Sequence, residues 1–394
     1  MKKLKKKAVF YAYSNNALDH LAPYVFLCNQ KNIECAVVYG EDFIRRKVYP
    51  NKKIVKIFEN NKINIHNIPF FEKKGFIKSI FYYVWLWTEI IEKKSYIPNF
   101  FKIKLKGLCE RIYNILDGDK LGANTAKKLL KNSEKVLVFT DNCNEKKIKK
   151  SFLLQMRNHA KIITTGHAVW QQDGTLNKEM FAEDITLVSN KWEASSKSNK
   201  KNIEIIGSLR YSKNWLKILD DYSPDSKIVS NKRKNIVVLM SPVHVTSDWK
   251  TMINTLTKII KCEDTDVKIL PHIRDMINMK PPIELKDNWD KKSYLDFSVK
   301  NSDIVVFWGS SGIFEAVARN KKIFFLSYLD LNKNNYFWMD QIINNTIIDN
   351  DFELLEAIKN FKRDSIENNE SFKKIIWPNN DPWLNATNLI NKII

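Results

Sequence analysis

Residues 303–327 read DIVVFWGSSGIFEAVARNKKIFFLS, and this stretch decides the fold class. An apolar run enters a Gly-Ser-Ser-Gly turn. A helical segment with Glu315 in its first turn follows, and a second apolar run closes the unit. Apolar runs without polar alternation are the pattern of strands covered on both faces, as in a parallel sheet. Strand, helix and strand in that order form a right-handed crossover unit. The turn has two readings. Its serines cap the helix, or the turn seats a phosphate, since helix N-terminal amides point outward and favour an anion.

Working outward, the same alternation fills the chain. Apolar runs at 8–13, 33–40, 63–68, 135–141, 161–167, 185–190 and 203–208 make a first set, with helical periodicity between them. Residues 219–235, LDDYSPDSKIVSNKRKN, are polar and carry turn residues suited to an inter-domain linker. Runs at 235–242, 267–272, 303–310, 322–327 and 346–349 make a second set, and NDPWLNATNLINKII reads as a closing helix. The expectation is an α/β protein with two doubly wound, Rossmann-like domains facing a cleft. Residues 1–218 form the first domain, 219–234 the linker, 235–375 the second domain, and 376–394 a helix free to pack back on the first.

In such sheets ligands sit beyond the carboxyl ends of the strands. The polar residues at those ends are Asp19 and His20, His167, Ser241 and His244, His272 and Arg274, and the turn Ser310-Ser311-Gly312 with Glu315. Four of the six histidines (His20, His167, His244, His272) fall there. A lone histidine is more often structural; four at matched edges point to chemistry. The first domain's candidates for a catalytic base are His167 first, and Asp19 or His20 second, histidine being suited to proton transfer near neutral pH. Arg210 and Arg274 can add positive charge to the cleft, and each also suits an ordinary surface.

Composition narrows the classes. Hydrophobic residues make 44% and aromatics 12% of 394 residues, which describes a folded protein. Cys28, Cys35, Cys109, Cys143 and Cys262 lack metal-ligand or paired spacing, which argues against a structural zinc or a disulfide framework and for a reducing compartment. The start, MKKLKKKAVFYAYS, has no secretory apolar core, so the expected location is cytoplasmic. The formal charge of +21 is spread along a Lys- and Asn-rich chain, without an RNA-binding signature, so no nucleic-acid partner is expected. Residues 70–107 interleave aromatics with lysines. They read either as a buried core helix or as a patch touching the anionic inner face of the plasma membrane.

Over residues 161–326 the motifs together resemble GT-B-type nucleotide-sugar transferases of bacterial surface polysaccharide synthesis. KIITTGHAVW looks like the strand-then-His-Gly segment of the CDP-glycerol glycerophosphotransferase group, with the order Gly166-His167 reversed here. VKILPHIRD is similar to the Lys-Pro-His-Pro element of Kdo-, sialic-acid- and glycerophosphate-transferring enzymes, with Ile273 in place of the second proline. The Gly-Ser-Ser-Gly unit resembles the family's serine-pair loop. The resemblance implies a CMP-, CDP- or UDP-linked donor, with Ser241, His244, His272, Arg274, Ser310, Ser311, Gly312 and Glu315 on the nucleotide side. It implies Glu315 on the ribose hydroxyls and a polysaccharide or lipid-linked acceptor. Glu315 also reads simply as a first-turn glutamate favoured by the helix dipole. No metal or cofactor is expected: Asp117-Gly118-Asp119 looks like a metal-binding DxD, but no strand precedes it. Two other classes fit the pattern, an epimerase of the UDP-N-acetylglucosamine 2-epimerase type and a non-enzymatic binder of anionic polymer or lipid.

Overall fold

The computed structural model describes residues 6–40, 51–68, 120–131, 133, 135–141, 147–166, 183–196, 202–223, 233–242, 246–272, 280–291, 295–331, 346–363, 370–379 and 381–393. The 70–107 stretch, Asp117-Gly118-Asp119, His167, His244 and Arg274 lie outside the described residues.

Among the described residues, twelve strands build two sheets in which every strand pairing is parallel. The first sheet holds β1 (Lys6–Ala12), β2 (Glu34–Tyr39), β3 (Asn64–Asn67), β4 (Lys135–Asp141), β5 (Ala160–Thr165), β6 (Ile185–Val188) and β7 (Ile203–Ile205). Their order is β3-β2-β1-β4-β5-β6-β7. The second holds β8 (Lys234–Leu239), β9 (Thr265–Leu270), β10 (Ile304–Phe307), β11 (Lys322–Leu326) and β12 (Ile347–Ile348), in the order β12-β11-β10-β8-β9. Each expected apolar run contains a strand, most ending earlier and several beginning earlier than expected. The doubly wound α/β expectation is the observed architecture.

The unbroken runs have a simple cause. Along β1, Ala8, Phe10 and Ala12 enter one core, and Val9 and Tyr11 enter another on the opposite face. All five are inaccessible to solvent, so neither face has room for a polar residue. In the second domain Ile304–Phe307 are likewise fully buried.

Seven helices position the site: α1 (Asn15–Gln30), α2 (Lys52–Asn60), α3 (Lys191–Ser196), α4 (Lys213–Asp221), α5 (Leu295–Lys300), α6 (Ile313–Ala318) and α7 (Pro382–Ile393). The chain leaves the first sheet through a 3-10 turn, Leu209–Tyr211, and then α4, whose Trp215 and Leu219 join the first core while Leu216 joins the second. It returns at its end. Ser208 N donates to Ile376 O at 2.8 Å, Asn190 Nδ2 to Ile375 O at 2.9 Å, and Trp377 Nε1 to Tyr211 O at 3.0 Å. α7 then inserts Ala386, Leu389 and Ile390 into the first-domain core.

Gly207 sits where the outgoing and returning segments meet. Its φ is +86°, and a Cβ there would lie 2.7 Å from Pro382 Cγ and 2.9 Å from Ile376 O. Strain and collision act together, so Gly207→Ala is expected to cost about 1–3 kcal/mol. Urea unfolding checks it. An unchanged midpoint would mean that the two segments meet less tightly than described.

Candidate functional site at the interdomain cleft

The carboxyl ends of the strands of both sheets carry the polar residues, and a group of charges from the two domains meets there. Past β1, Ser14 Oγ accepts from Ala17 N at 3.3 Å and starts α1, which sets Asn16 and Asp19 at the sheet edge. Arg210, from the crossover turn, reaches both. Its Nη1 donates to Asn16 Oδ1 at 3.1 Å, and its Nη2 lies 3.3 Å from Asp19 Oδ2. The guanidinium stacks over the Tyr211 ring at 5.4 Å, and the Tyr211 hydroxyl donates to Ser311 O at 3.3 Å. Asp19 and Arg210 are thus tied through one tyrosine to the Gly-Ser-Ser-Gly turn.

On the second-domain side, Glu315 is buried in the first turn of α6. Arg319 Nε donates to Glu315 Oε1 at 2.7 Å, and its Nη1 and Nη2 donate to Asp220 of α4 at 3.0 and 2.8 Å. Lys300 approaches Asp220 at 3.6 Å. Lys53, from α2 of the first domain, pairs with Asp296 of α5 and donates to Ser223 Oγ at 2.7 Å.

Burial dominates the electrostatics. Asp19 is held above the usual aspartate range, first by loss of water around it and then by the Asp296 charge, against the pull of Arg210. Its Oδ1 is shielded from solvent and has no hydrogen-bond partner among the described residues, whereas a quarter of the side chain as a whole remains open to water. Burial also raises Glu315, opposed by Arg319 and assisted by Asp296. The Tyr211 phenol is pushed up to about 12 by burial, with Arg210 opposing. A carboxyl that keeps its proton more readily than usual is a group poised for proton transfer.

The remaining sequence candidates fall in distinct surroundings. His20 is turned into the buried side of α1. Ser241 is buried past β8, and its hydroxyl donates to Gly309 O at 3.4 Å, joining the ends of β8 and β10. His272 is partly buried just past β9. Ser310 Oγ accepts from Gly312 N at 3.4 Å, while the amides of Ile313, Phe314 and Glu315 donate to the carbonyls of Ser310, Ser311 and Gly312 at 3.3, 3.3 and 3.1 Å. α6 thus opens with a tightened turn that uses its own amides. Any anion-holding capacity here lies with the serine hydroxyls more than with those amides. Gly312 is explained by packing, since a Cβ would lie 3.2 Å from Leu239 and from Leu295. Gly166 has a similar cause: a Cβ there would stand 2.5 Å from Glu193 Oε1 of α3.

Sequence reasoning passed over Lys53, Asp220, Asp296 and Arg319. Only Arg319 left a trace, as the i+4 partner of Glu315 on one helix face. The others join elements distant in sequence. Among the described residues, no group of three or more His, Cys, Asp or Glu is arranged to hold a metal ion, and no helix is long and apolar enough to cross a membrane.

No family model matches the chain, and neither does any curated protein sequence. Solved structures do match its fold. The UDP-GlcNAc 2-epimerase of Methanocaldococcus jannaschii is 12% identical with a TM-score of 0.54, over 94% of this chain and 99% of that one. The UDP-GlcNAc 2-epimerase of Neisseria meningitidis, bound to UDP-GlcNAc, is 12% identical with a TM-score of 0.51, over 99% of each chain. The glycosyltransferase SnogD of Streptomyces nogalater is 9% identical with a TM-score of 0.51, over 99% of this chain and all of that one. The chain has the two-domain GT-B architecture. At these identities the likeness is one of fold alone.

Proposed function

We propose that this protein is a nucleotide-sugar enzyme that transfers a sugar or glycerophosphate from a nucleotide-activated donor to a hydroxyl of a surface-polysaccharide or lipid-linked acceptor. The observation that carries the reading is the meeting of Asp19 and Arg210 from one domain with Ser311 and Glu315 from the other, bridged by Tyr211. The GT-B neighbours, among them a glycosyltransferase and an epimerase bound to UDP-GlcNAc, support a nucleotide-linked sugar in that cleft.

In this reading His272 and the hydroxyls of Ser310 and Ser311 hydrogen-bond the departing nucleotide phosphate, where negative charge grows as its bond to the transferred sugar or glycerophosphate breaks. Asp19, deprotonated, takes the proton of the attacking hydroxyl, with Arg210 holding its carboxylate in place. His167 is the alternative base. Glu315, buried and engaged with Arg319, would act on the nucleotide indirectly, by holding the helix that follows the Ser310-Ser311 turn rather than by reaching the ribose itself. Residues 70–107 would hold the enzyme against an anionic membrane near its acceptor.

A second reading has an observation of its own. Asp296 is close enough to act on the charge of both Asp19 and Glu315, and an epimerase requires several acid and base groups around one sugar ring. Both readings share a first test, calorimetric titration with CMP, CDP, UDP and GDP. One nucleotide is expected to saturate, and His272→Ala to weaken it about 10–100-fold, the effect of one hydrogen bond to a charged group. Binding of none of the four would overturn both readings. Incubation with UDP-GlcNAc and no acceptor, followed by proton NMR, separates them: a new 2-epimer selects the epimerase.

A further inference from the structure

The two domains are joined covalently at two places, the crossover through α4 and the returning segment before α7. The pair formed by Lys53 and Asp296 is different. It links α2 of the first domain to α5 of the second, 243 residues away in sequence, beside the end of the crossover helix but with neither partner on it. Each residue stands in the first turn of its helix. In a parallel α/β sheet the first turns of the helices lie on the side of the strand carboxyl ends, which is the cleft side.

The pair is also built to be dry. The side chains are 4% and 8% exposed. Ser223 Oγ accepts from Lys53 Nζ at 2.7 Å and donates to Leu219 O at 2.9 Å, and the Phe297 ring covers the ammonium at 6.0 Å. Two desolvated charges of opposite sign are costly apart and tolerable only together. Such a contact has two states: formed, or broken with both groups returned to water. An apolar contact would slide instead.

We infer that Lys53 and Asp296 form a cross-cleft latch that holds the domains in the arrangement where Asp19 and Arg210 face Ser311 and Glu315. Ser223, at the end of the crossover helix, is the third point of the latch and keeps Lys53 aimed at Asp296. The inference concerns domain arrangement and stands whether or not the cleft binds a nucleotide.

The test is small-angle X-ray scattering without ligand on three variants: Lys53→Met, Asp296→Asn and the swap Lys53→Asp/Asp296→Lys. A compact chain of this length has a radius of gyration of about 21 Å. Each single variant is expected to keep native far-UV circular dichroism and to shift to a larger radius, and the swap to return toward the unaltered value. Unchanged radii in the folded single variants would overturn the latch. Should one single variant fail to fold, the other is decisive. Loss of folding in both would overturn the latch too, by making the pair a requirement of the fold. Because no ligand is present, a negative result leaves the nucleotide reading intact, and absent nucleotide binding leaves the latch intact.

Discussion

Replacing Asp19 by asparagine is expected to lower turnover by about 10²–10⁴-fold, the range for loss of a positioned proton acceptor. Nucleotide affinity should be unchanged if Asp19 serves the acceptor side, as the proposed function has it. Asparagine keeps the shape and can still pair with Arg210 through its carbonyl, so the folded structure is expected to persist. Turnover within tenfold of the unaltered enzyme would transfer the role of base to His167.

The same residue gives a pH signature with two opposite signs. Burial first, and then Asp296, holds the Asp19 proton more tightly in the folded protein than in the unfolded chain, whose value is 3.8. Its contribution to stability is therefore complete below about pH 3.8 and is lost as pH rises through the raised folded value. Activity moves the other way, since a base works only when deprotonated. Over that window turnover is expected to rise while unfolding free energy falls, and Asp19→Asn should flatten both slopes at once. Glu315, also raised by burial, adds to the stability slope and stays in the variant, so the flattening is partial. A stability slope identical in the two proteins would show that Asp19 titrates as an ordinary surface aspartate.

Replacing Arg319 by methionine is expected to cost about 3–5 kcal/mol, the usual result of removing one partner from a buried ion pair. Arg319 is 9% exposed and serves two carboxylates on different elements, Glu315 at 2.7 Å and Asp220 at 2.8 and 3.0 Å. Glu315 is 3% exposed, so the loss strands a carboxylate that water cannot reach. At a few degrees per kcal/mol for domains of this size, the melting midpoint should fall by about 10 °C. The double variant Arg319→Met/Glu315→Gln removes the stranded charge and should recover part of the loss, a coupling expected of residues in contact. A fall of less than about 1 kcal/mol would mean that water enters the network and screens it as at a surface.

The strands were legible because burial on both faces leaves a mark at every position: a run such as Ile304–Phe307 has no polar residue to place. The helices were legible only as periodic stretches between the runs, and the side chains that start them came from the structure: Asp248 accepts from the amides of Lys250 and Thr251, and Asn350 caps Asp351–Asn360 through Glu353 N. The Gly-Ser-Ser-Gly turn could be found but not interpreted. Its glycine at 312 answers to Leu239 and Leu295, neither of which is adjacent in sequence.

The charged network was not legible for the same kind of reason. Lys53, Asp220, Asp296 and Arg319 each look like a surface residue within their own segments, on a chain with formal charge +21. Local periodicity and strand-end position are properties of neighbours along the chain, so the amino-acid order alone determines the two parallel sheets and which polar residues stand at the strand ends. Which carboxylate is buried, which arginine holds it and where the domains touch depend on contacts between residues 100 to 243 positions apart, such as Tyr211 with Ser311 and Lys53 with Asp296. Those contacts exist only once both sheets have formed and closed on each other, and desolvation at that closure turns ordinary side chains into a site.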